Sequence, residues 1–180
     1  SFYNGTNKNN IYPTPVIGGV GLIKNLKTIQ NHRFKEIDNQ IMIIGKTFGH
    51  LDQSVLINQL YDLHDGMPPD VNLLNEKNNG DMILKLINTG VIKSVHDVST
   101  GGIILALAEM SISSQIGIKI IKPKKISNIF EYFFGEDQSR YLVEVEKTNL
   151  SKIEKIFKDN NIFFEHIGVT QNDYFELDKD

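Results

Sequence analysis

The stretch Ser94–Met110 constrains the fold of this chain more than any other. Val91–Val95 is a short apolar run that predicts a β-strand ending just before His96 and Asp97. Ser99 and Thr100 follow, and their hydroxyl groups can accept hydrogen bonds from the free N–H groups of a helix's first turn. The segment behind them is apolar nearly all round, which predicts a buried helix. The stretch is therefore a strand, a polar glycine turn and a helix.

Two interpretations of this turn remain open. Gly101 and Gly102 allow another backbone or a phosphate to approach closely. An aspartate at a strand end, Asp97, beside a helix N-terminus and Ser99 is a natural place for an anionic ligand or its metal. The alternative is a tight strand-to-helix connection with a capping hydroxyl and no ligand.

Composition excludes several classes of protein. The chain has 180 residues, 40% of them hydrophobic and 23% charged, which suits one domain with an appended arm. A net charge of −3 without a dense basic stripe gives no indication of a nucleic-acid partner. No apolar run is long enough to cross a membrane, so we expect no membrane partner. The chain has no cysteine, which excludes disulfides and thiolate sites and agrees with a cytoplasmic location.

Strand and helix patterns alternate along the chain, giving about six strands and four or five helices. This alternation predicts an α/β fold of mixed α+β type, in which helices pack on one mixed β-sheet. The strand–helix–strand pattern across 143–167 suggests a ferredoxin-like element. The pattern of Val16–Ile23 predicts a glycine-rich apolar strand. The segment is not a phosphate-binding loop, because it lacks the Lys-Ser/Thr ending of that motif.

A second group of polar residues, Glu136–Arg140, lies between an aromatic segment and a strand. One interpretation is a ligand-facing turn in which Gln138 and the backbone amides donate hydrogen bonds. The other is an exposed loop with an ion pair between Glu136 and Arg140. The five histidines have no metal-ligand spacing, and no nucleophile motif is present, so we expect neither a metal site nor a catalytic residue.

Four stretches in this order resemble the small-type phosphoribosylformylglycinamidine synthases of purine biosynthesis. The four are Ser1–Asn4 with Pro13–Gly18, Pro68–Leu73, His96–Gly102 with Ala106–Met110, and Phe134–Arg140. The resemblance covers nearly the whole chain and points to the C-terminal domain of the synthetase subunit. It implies the fold of the aminoimidazole ribonucleotide synthase-like superfamily.

The resemblance also implies a domain division and an activity. Residues 1–15 would be the tail of the preceding ATP-grasping domain, and 16–180 the C-terminal α/β domain. The full-length enzyme would use ATP and Mg²⁺ to convert formylglycinamide ribonucleotide and glutamine-derived ammonia to formylglycinamidine ribonucleotide, ADP and phosphate. The chain begins with Ser1 and its first methionine is Met42, so we expect a fragment that is inactive alone and holds no cofactor itself.

The resemblance suggests particular residues and partners. Ser1 would contact substrate, whereas Asp97, Ser99, Glu136, Asp137 and Gln138 would form a duplicated, auxiliary site. Asp137 adds a negative charge, which argues against a phosphate there. Expected partners are a glutaminase subunit, a small accessory subunit and the preceding domains of the same chain.

Two alternatives stay open. The chain would act as a structural or interaction module that docks subunits and domains, and as a fragment it would self-associate through the exposed Val16–Ile23. The second alternative is that the chain belongs to a sister ATP-using enzyme of the same superfamily.

Overall fold

One six-stranded mixed sheet forms the centre of the protein. The computed structural model describes residues 5–6, 9–10, 16–23, 25–121, 123 and 128–178. Gly5–Thr6 (β1) and Asn9–Asn10 (β2) form a separate antiparallel pair. The main strands are Gln40–Ile44 (β3), Ile92–Val98 (β4), Gly117–Ile120 (β5), Arg140–Val145 (β6), Phe164–Gln171 (β7) and Phe175–Leu177 (β8). Their order is β4-β6-β3-β7-β5-β8. All neighbours are antiparallel except β5 and β8, which confirms the predicted mixed sheet.

Four α-helices accompany the sheet in the described part of the chain. They are Leu73–Thr89 (α1), Gly102–Ser114 (α2), Ile129–Phe134 (α3) and Leu150–Asp159 (α4). Short 3₁₀ turns occur at Leu26–Thr28 and Lys147–Asn149, and a five-residue π-helical turn at Leu56–Leu60. None of the described helices combines the length and the apolar character that a membrane span requires.

Two hydrophobic cores lie on opposite faces of the sheet. Ile41 and Ile43 of β3 pack with α2 and α3, whereas Met42 and Ile44 pack with α1 and α4. Successive side chains of a strand point to opposite faces, so a strand covered on both sides must be apolar at every position. The uninterrupted Ile-Met-Ile-Ile run therefore belongs at the centre of a three-layer domain.

The ferredoxin-like element predicted across 143–167 is confirmed. Strands β6 and β7 both pair antiparallel with β3, so they run parallel to each other with β3 between them. Helix α4 connects them, and its Ile153 and Phe157 are buried against the sheet. Two parallel strands need such a crossover connection, and here β3 lies between the two strands that the crossover joins.

Helix α1 is one continuous helix that runs through Asn78–Gly80 without interruption. Asn72 caps its start, because its Oδ1 accepts from the backbone N–H of Asn75 at 3.0 Å. Gly90 ends it with a φ of +66°, as its position at the end of the apolar pattern predicts.

The beginning of α2 differs from the prediction. Strand β4 runs on to Val98, and the N-cap of α2 is Gly101, with no side-chain cap. The predicted capping by Ser99 and Thr100 is wrong, because a carboxylate from another element accepts the Gly101 N–H instead. The predicted burial of this helix is confirmed for Ile103, Ala106, Leu107 and Met110, whereas Leu105 is 41% exposed.

The predicted strand over Val16–Ile23 is absent: the segment has no regular secondary structure and is exposed. A strand needs a partner edge. The outer edge of β4 is already contacted by the chain that follows this segment, since Val95 donates its N–H to Asn31 O at 3.2 Å and Gln30 Nε2 donates to Ile92 O at 3.3 Å.

Candidate functional site

Three segments far apart in sequence meet at one end of the sheet: the loop 46–52, the turn at Gly101–Gly102 and the turn Glu136–Arg140. A Cβ on Gly102 would lie 2.6 Å from Phe133 O, and one on Gly135 would lie 2.8 Å from Gly49 Cα. These are backbone-to-backbone contacts that leave no space for a side chain. The glycines in these motifs are therefore required by packing.

Asp137 anchors the loop 46–52. Its carboxylate is buried and accepts hydrogen bonds from the backbone N–H groups of Phe48 and Gly49 at 2.9 Å and of His50 at 3.2 Å. Hydrogen bonds to a charged acceptor are strong ones. Asp137 thus fixes a loop rather than presenting its charge to solvent.

Arg140 completes this buried frame. Its Nη1 lies 3.6 Å from Asp137 Oδ2, and its other nitrogens donate to Gly135 O at 2.6 Å and Asp137 O at 3.1 Å. Burial lowers the pKa of the Arg140 guanidinium from its ordinary value, and the Asp137 charge opposes this shift. The predicted ion pair between Glu136 and Arg140 is wrong, because the partner is Asp137 and the pair is buried.

Glu136 joins two further elements. Its Oε1 accepts from the N–H of Gly101 at 2.8 Å and from the N–H of Val55 at 2.8 Å. Its own N–H donates to His50 O at 2.9 Å. A carboxylate at the N-terminus of α2 is favoured by the helix dipole. The side chain therefore ties α2 to the segment that begins at Val55.

Gln138 has a different environment, since it is exposed at the edge of a cleft of about 780 Å³. The cleft is lined by Phe48, Gly49, His50, Leu51, Asp52, Ile57, Pro69, Asp70, Asn72, Asn75, Glu131, Asp137, Gln138 and Ser139. Next to Gln138, Ser139 has a φ of +62°, and its carbonyl oxygen accepts from Asn79 Nδ2 at 2.9 Å. The turn is thus held rigidly at the rim of the cleft.

The structure places the predicted residues in different surroundings. Glu136, Asp137 and Gln138 lie together, whereas Asp97 and Ser99 are exposed and do not line the cleft of the described chain. Asp97 instead lies 3.4 Å from the ring of His96, whose Nε2 donates to Glu109 at 2.9 Å. Ser1 lies outside the described residues.

The lining does not fit ATP or Mg²⁺. No group of three or more His, Cys, Asp or Glu residues in the described ranges is arranged to hold a metal ion. Among the residues that the structure describes, no Lys or Arg lines the cleft to hold a triphosphate. The carboxylates of Glu136 and Asp137 are already engaged by backbone N–H groups.

Sequence reasoning missed one buried acid, Glu144 on β6. This fully buried side chain accepts from the N–H groups of Lys35 at 3.0 Å and Glu36 at 3.2 Å, and from Asn39 Nδ2 and Ser94 Oγ at 2.7 Å. It fastens the chain before β3 to the sheet. The available signal was a single charge inside the apolar run 141–145.

The family model described as "AIR synthase related protein, C-terminal domain" matches residues 39–178. The chain belongs to this family. The match includes all six strands of the main sheet and the Glu136–Arg140 turn.

Named relatives confirm the resemblance stated above. The chain is 48% identical over 178 residues to the phosphoribosylformylglycinamidine synthase subunit PurL of Pelagibacter ubique, covering 99% of this chain and 24% of that protein. Its fold is similar to T. maritima PurL complexed with FGAR, with a TM-score of 0.67 and 16% identity, over 83% of this chain and 27% of the other. T. maritima PurL complexed with ATP gives a TM-score of 0.65 and 16% identity, over 83% and 24%.

The expected fold is therefore confirmed, together with the membership in this superfamily. The chain spans 24% of the length of the curated relatives it matches.

Proposed function

We propose that this chain is the C-terminal α/β domain of a phosphoribosylformylglycinamidine synthase subunit in purine biosynthesis. The observation that carries the proposal is the 48% identity to a PurL subunit over 99% of the chain. The proposed division is a tail of the preceding domain at 1–15 and the α/β domain at 16–180.

The proposed reaction of the full-length subunit is that of an ATP-dependent carbon–nitrogen ligase. ATP phosphorylates the amide oxygen of formylglycinamide ribonucleotide, and ammonia from glutamine then displaces phosphate to give the amidine. Solved structures of a PurL with ATP and with FGAR support these ligands. Because the cleft here does not fit ATP or Mg²⁺, both would be held by other parts of the subunit, and this chain alone is inactive.

Within that enzyme, the proposed role of this domain is to support its neighbours. Glu136, Asp137 and Arg140 use their charges internally and hold three segments in place. Of the residues proposed for an auxiliary site, Gln138 presents a polar side chain to the cleft. Asp97 and Ser99 would act from a separate exposed surface, and Ser1 would contact substrate bound elsewhere.

Proposed partners are a glutaminase subunit, a small accessory subunit and the preceding domains, all in the cytoplasm. The Pelagibacter ubique relative is a synthase subunit, which supports an assembly of this kind.

A chimaeric subunit tests the proposal. The matching C-terminal region of the Pelagibacter ubique PurL is replaced by this chain, and the chimaera is expressed in a bacterium that lacks PurL. We expect growth without added purine, as with the parent subunit, while the parent truncated before the replaced region gives none. A chimaera that accumulates and unfolds cooperatively like the parent, yet supports no growth, contradicts the proposal.

The inactivity of the isolated chain needs its own assay. Purified chain, ATP, Mg²⁺, ammonia and formylglycinamide ribonucleotide are incubated, and the amidine product is measured by mass spectrometry. We expect none above the blank without protein. Product that rises with chain concentration shows that the chain alone is active.

The alternative, a structural or interaction module, is favoured by one observation. Val16, Ile17, Val20 and Leu22 are each at least 89% exposed, which is unusual for adjacent apolar side chains. Calorimetry of the chimaeric subunit separates the two functions: if the chain acts only as a docking module, Q138A leaves the affinities for ATP and for the ribonucleotide unchanged.

A further inference from the structure

Residues 30–39 form a strap that crosses one end of the sheet, and the buried carboxylate of Glu144 holds it there. We propose that Glu144 is a positioning residue: by holding the strap, it fixes where the preceding part of the subunit joins this domain. The inference rests on the proposed function, because it concerns the coupling of domains within one enzyme.

The strap contacts adjacent strands in turn. Val95 of β4 donates its N–H to Asn31 O at 3.2 Å, and at the other end of the strap Asp38 donates its N–H to Thr170 O of β7 at 2.9 Å. Between these two strands lie β6 and β3. The strap has no regular secondary structure, so its position depends on these contacts.

The chain becomes buried where the strap begins. Residues 16–23 and 25–27 are exposed. Gln30 Nε2 then donates to Ile92 O at 3.3 Å, and Phe34 is 3% exposed and packs in the core with α2 and α3. The strap is therefore the part of the chain through which this domain holds the segment that precedes it.

Glu144 supplies only acceptors, and its partners in the described chain are all donors. They are the N–H groups of Lys35 at 3.0 Å and Glu36 at 3.2 Å, with Asn39 Nδ2 and Ser94 Oγ at 2.7 Å. No described Lys or Arg forms an ion pair with this carboxylate. The donors thus replace water around a buried charge, and a loosened strap would leave that charge unsolvated.

Thr170 holds the strap from a second strand. Its Oγ1 donates to Glu36 O at 2.7 Å and accepts from the N–H of Asn39 at 2.9 Å. Asp38, in the turn between these contacts, has a φ of +64°. Glu144 and Thr170 lie on the strands either side of β3, so together they fix the direction of the strap as well as its place.

Glu144 and Thr170 are both absent from the lining of the cleft. An effect of either residue on the reaction must therefore pass through the strap. A displacement of about 1 Å between reacting groups can slow a reaction about a hundredfold. A loosened strap should accordingly lower the rate of the chemical step and leave substrate binding nearly unchanged.

Amide hydrogen exchange of the full 180-residue chain tests whether Glu144 holds the strap. The variant E144L removes the acceptors and keeps a side chain of similar size. We expect the amides of Lys35 and Glu36 to exchange at least tenfold faster, with the amides of β3 as the reference for global unfolding. The control E146L makes the same chemical change at a residue that pairs with Lys93, and it should change these rates less than twofold.

Steady-state kinetics of the chimaeric subunit, supplied with ammonia, test the coupling. E144L is expected to lower kcat at least tenfold and to leave the KM values for ATP and the ribonucleotide within twofold. E144Q keeps one oxygen, and its amide can donate to Ser94 Oγ, so its kcat should stay within threefold of the parent. E146L should not change kcat.

A second variant covers the case in which E144L fails to fold. T170V keeps the shape of the side chain and removes the hydroxyl group. It is expected to speed exchange at the amide of Asn39 at least tenfold and to lower kcat of the chimaera at least threefold. Unchanged exchange and kcat in folded T170V would then overturn the proposal.

Equal exchange at Lys35 and Glu36 in E144L and E146L overturns the role of Glu144 in holding the strap. An unchanged kcat in E144L, or a raised KM with kcat unchanged, overturns the coupling. In each of these cases the parent chimaera is active. A parent chimaera that makes no product is instead a failure of the proposed function, and the exchange rates of the isolated chain, which need no activity, still decide whether Glu144 holds the strap.

Discussion

At the scale of single residues, Asp137 lies in a sequence that is typical of a ligand-binding turn, but its role in the structure is to anchor a loop. Its turn contains four consecutive hydrogen-bonding side chains before Arg140, which is typical of a ligand-facing segment. In the structure the residue is 4% exposed, and its carboxylate accepts three backbone N–H hydrogen bonds and pairs with Arg140. Asp137 is therefore needed for the shape of the site.

Removing this carboxylate leaves a buried guanidinium without its counter-charge and three N–H groups without acceptors. D137A is expected to lower the free energy of unfolding by about 3–5 kcal/mol, the usual result of breaking a buried ion pair. Urea denaturation measures the change. The control Q138A, at the exposed neighbouring position, is expected to change it by less than about 0.5 kcal/mol. Similar effects of both variants would contradict the anchoring role.

His166 on β7 is expected to make the stability of the protein depend on pH. Among the described residues its Nε2 is a buried atom without a hydrogen-bond partner. Burial lowers its pKa below the ordinary value, with a smaller opposing effect from the backbone at Gly168 and from Glu154 on α4. The unfolded chain therefore binds more protons than the folded chain between the folded pKa and about 6.5.

Stability is expected to fall as pH is lowered through that window, and to fall less in H166L than in the parent chain. Urea denaturation at pH 7.5 and pH 5.5 measures both proteins. H64Q, whose ring is exposed, serves as the control and should keep the parent's pH dependence. An unchanged dependence in H166L would remove His166 as its source.

At the scale of elements, the junction of α2 and α3 depends on a glycine in contact with backbone. Gly102 has a φ of +69°, and a Cβ there would lie 2.6 Å from Phe133 O and 2.7 Å from Gly135 O. Gly90, at the end of α1, has a similar φ of +66° but has nothing within 4 Å of its Cβ position. Substitutions at these two glycines therefore distinguish the cost of backbone strain from the cost of crowding.

G90A is expected to lower the free energy of unfolding by about 1 kcal/mol, which is the strain of a left-handed residue. G102A is expected to lower it by about 3 kcal/mol or more, because crowding against backbone adds to that strain. Thermal and urea denaturation of the two variants provide the measurement. Equal losses would show that α2 and α3 can move apart without cost.

At the scale of the whole molecule, the apolar segment Val16–Ile23 lies outside both cores. Val20 and Leu22 are 105% and 93% exposed, so water contacts nearly all of their surface. Apolar surface of this kind is usually covered by another domain or by a second molecule.

The isolated chain is therefore expected to self-associate at high concentration, as sedimentation velocity measures. The variant V20K/L22K is expected to shift the population towards monomer. The variant I112K, which changes an exposed apolar residue of α2, is a matched control and should leave the association unchanged. A parent chain that stays monomeric at millimolar concentration contradicts the expectation.

Local sequence patterns predict some elements of this fold and fail for others. The elements α1, β6 and α4 follow from local patterns, since apolar spacing and the cap at Gly90 act over a few residues. The strand expected at Val16–Ile23 did not form, because a strand depends on a free neighbouring edge, which no local pattern specifies.

The sequence by itself determined the types of most elements, the mixed sheet and the family, because these rest on short-range periodicity and on ordered motifs. Tertiary structure alone decided that β3 lies between β6 and β7, that Arg140 pairs with Asp137 instead of Glu136, and that Glu136 accepts the Gly101 N–H. These outcomes join residues as far apart in the sequence as Gln40 and Val169. The partner of a buried charge is chosen by the packing that removes water around it, and that packing exists only once the chain has folded.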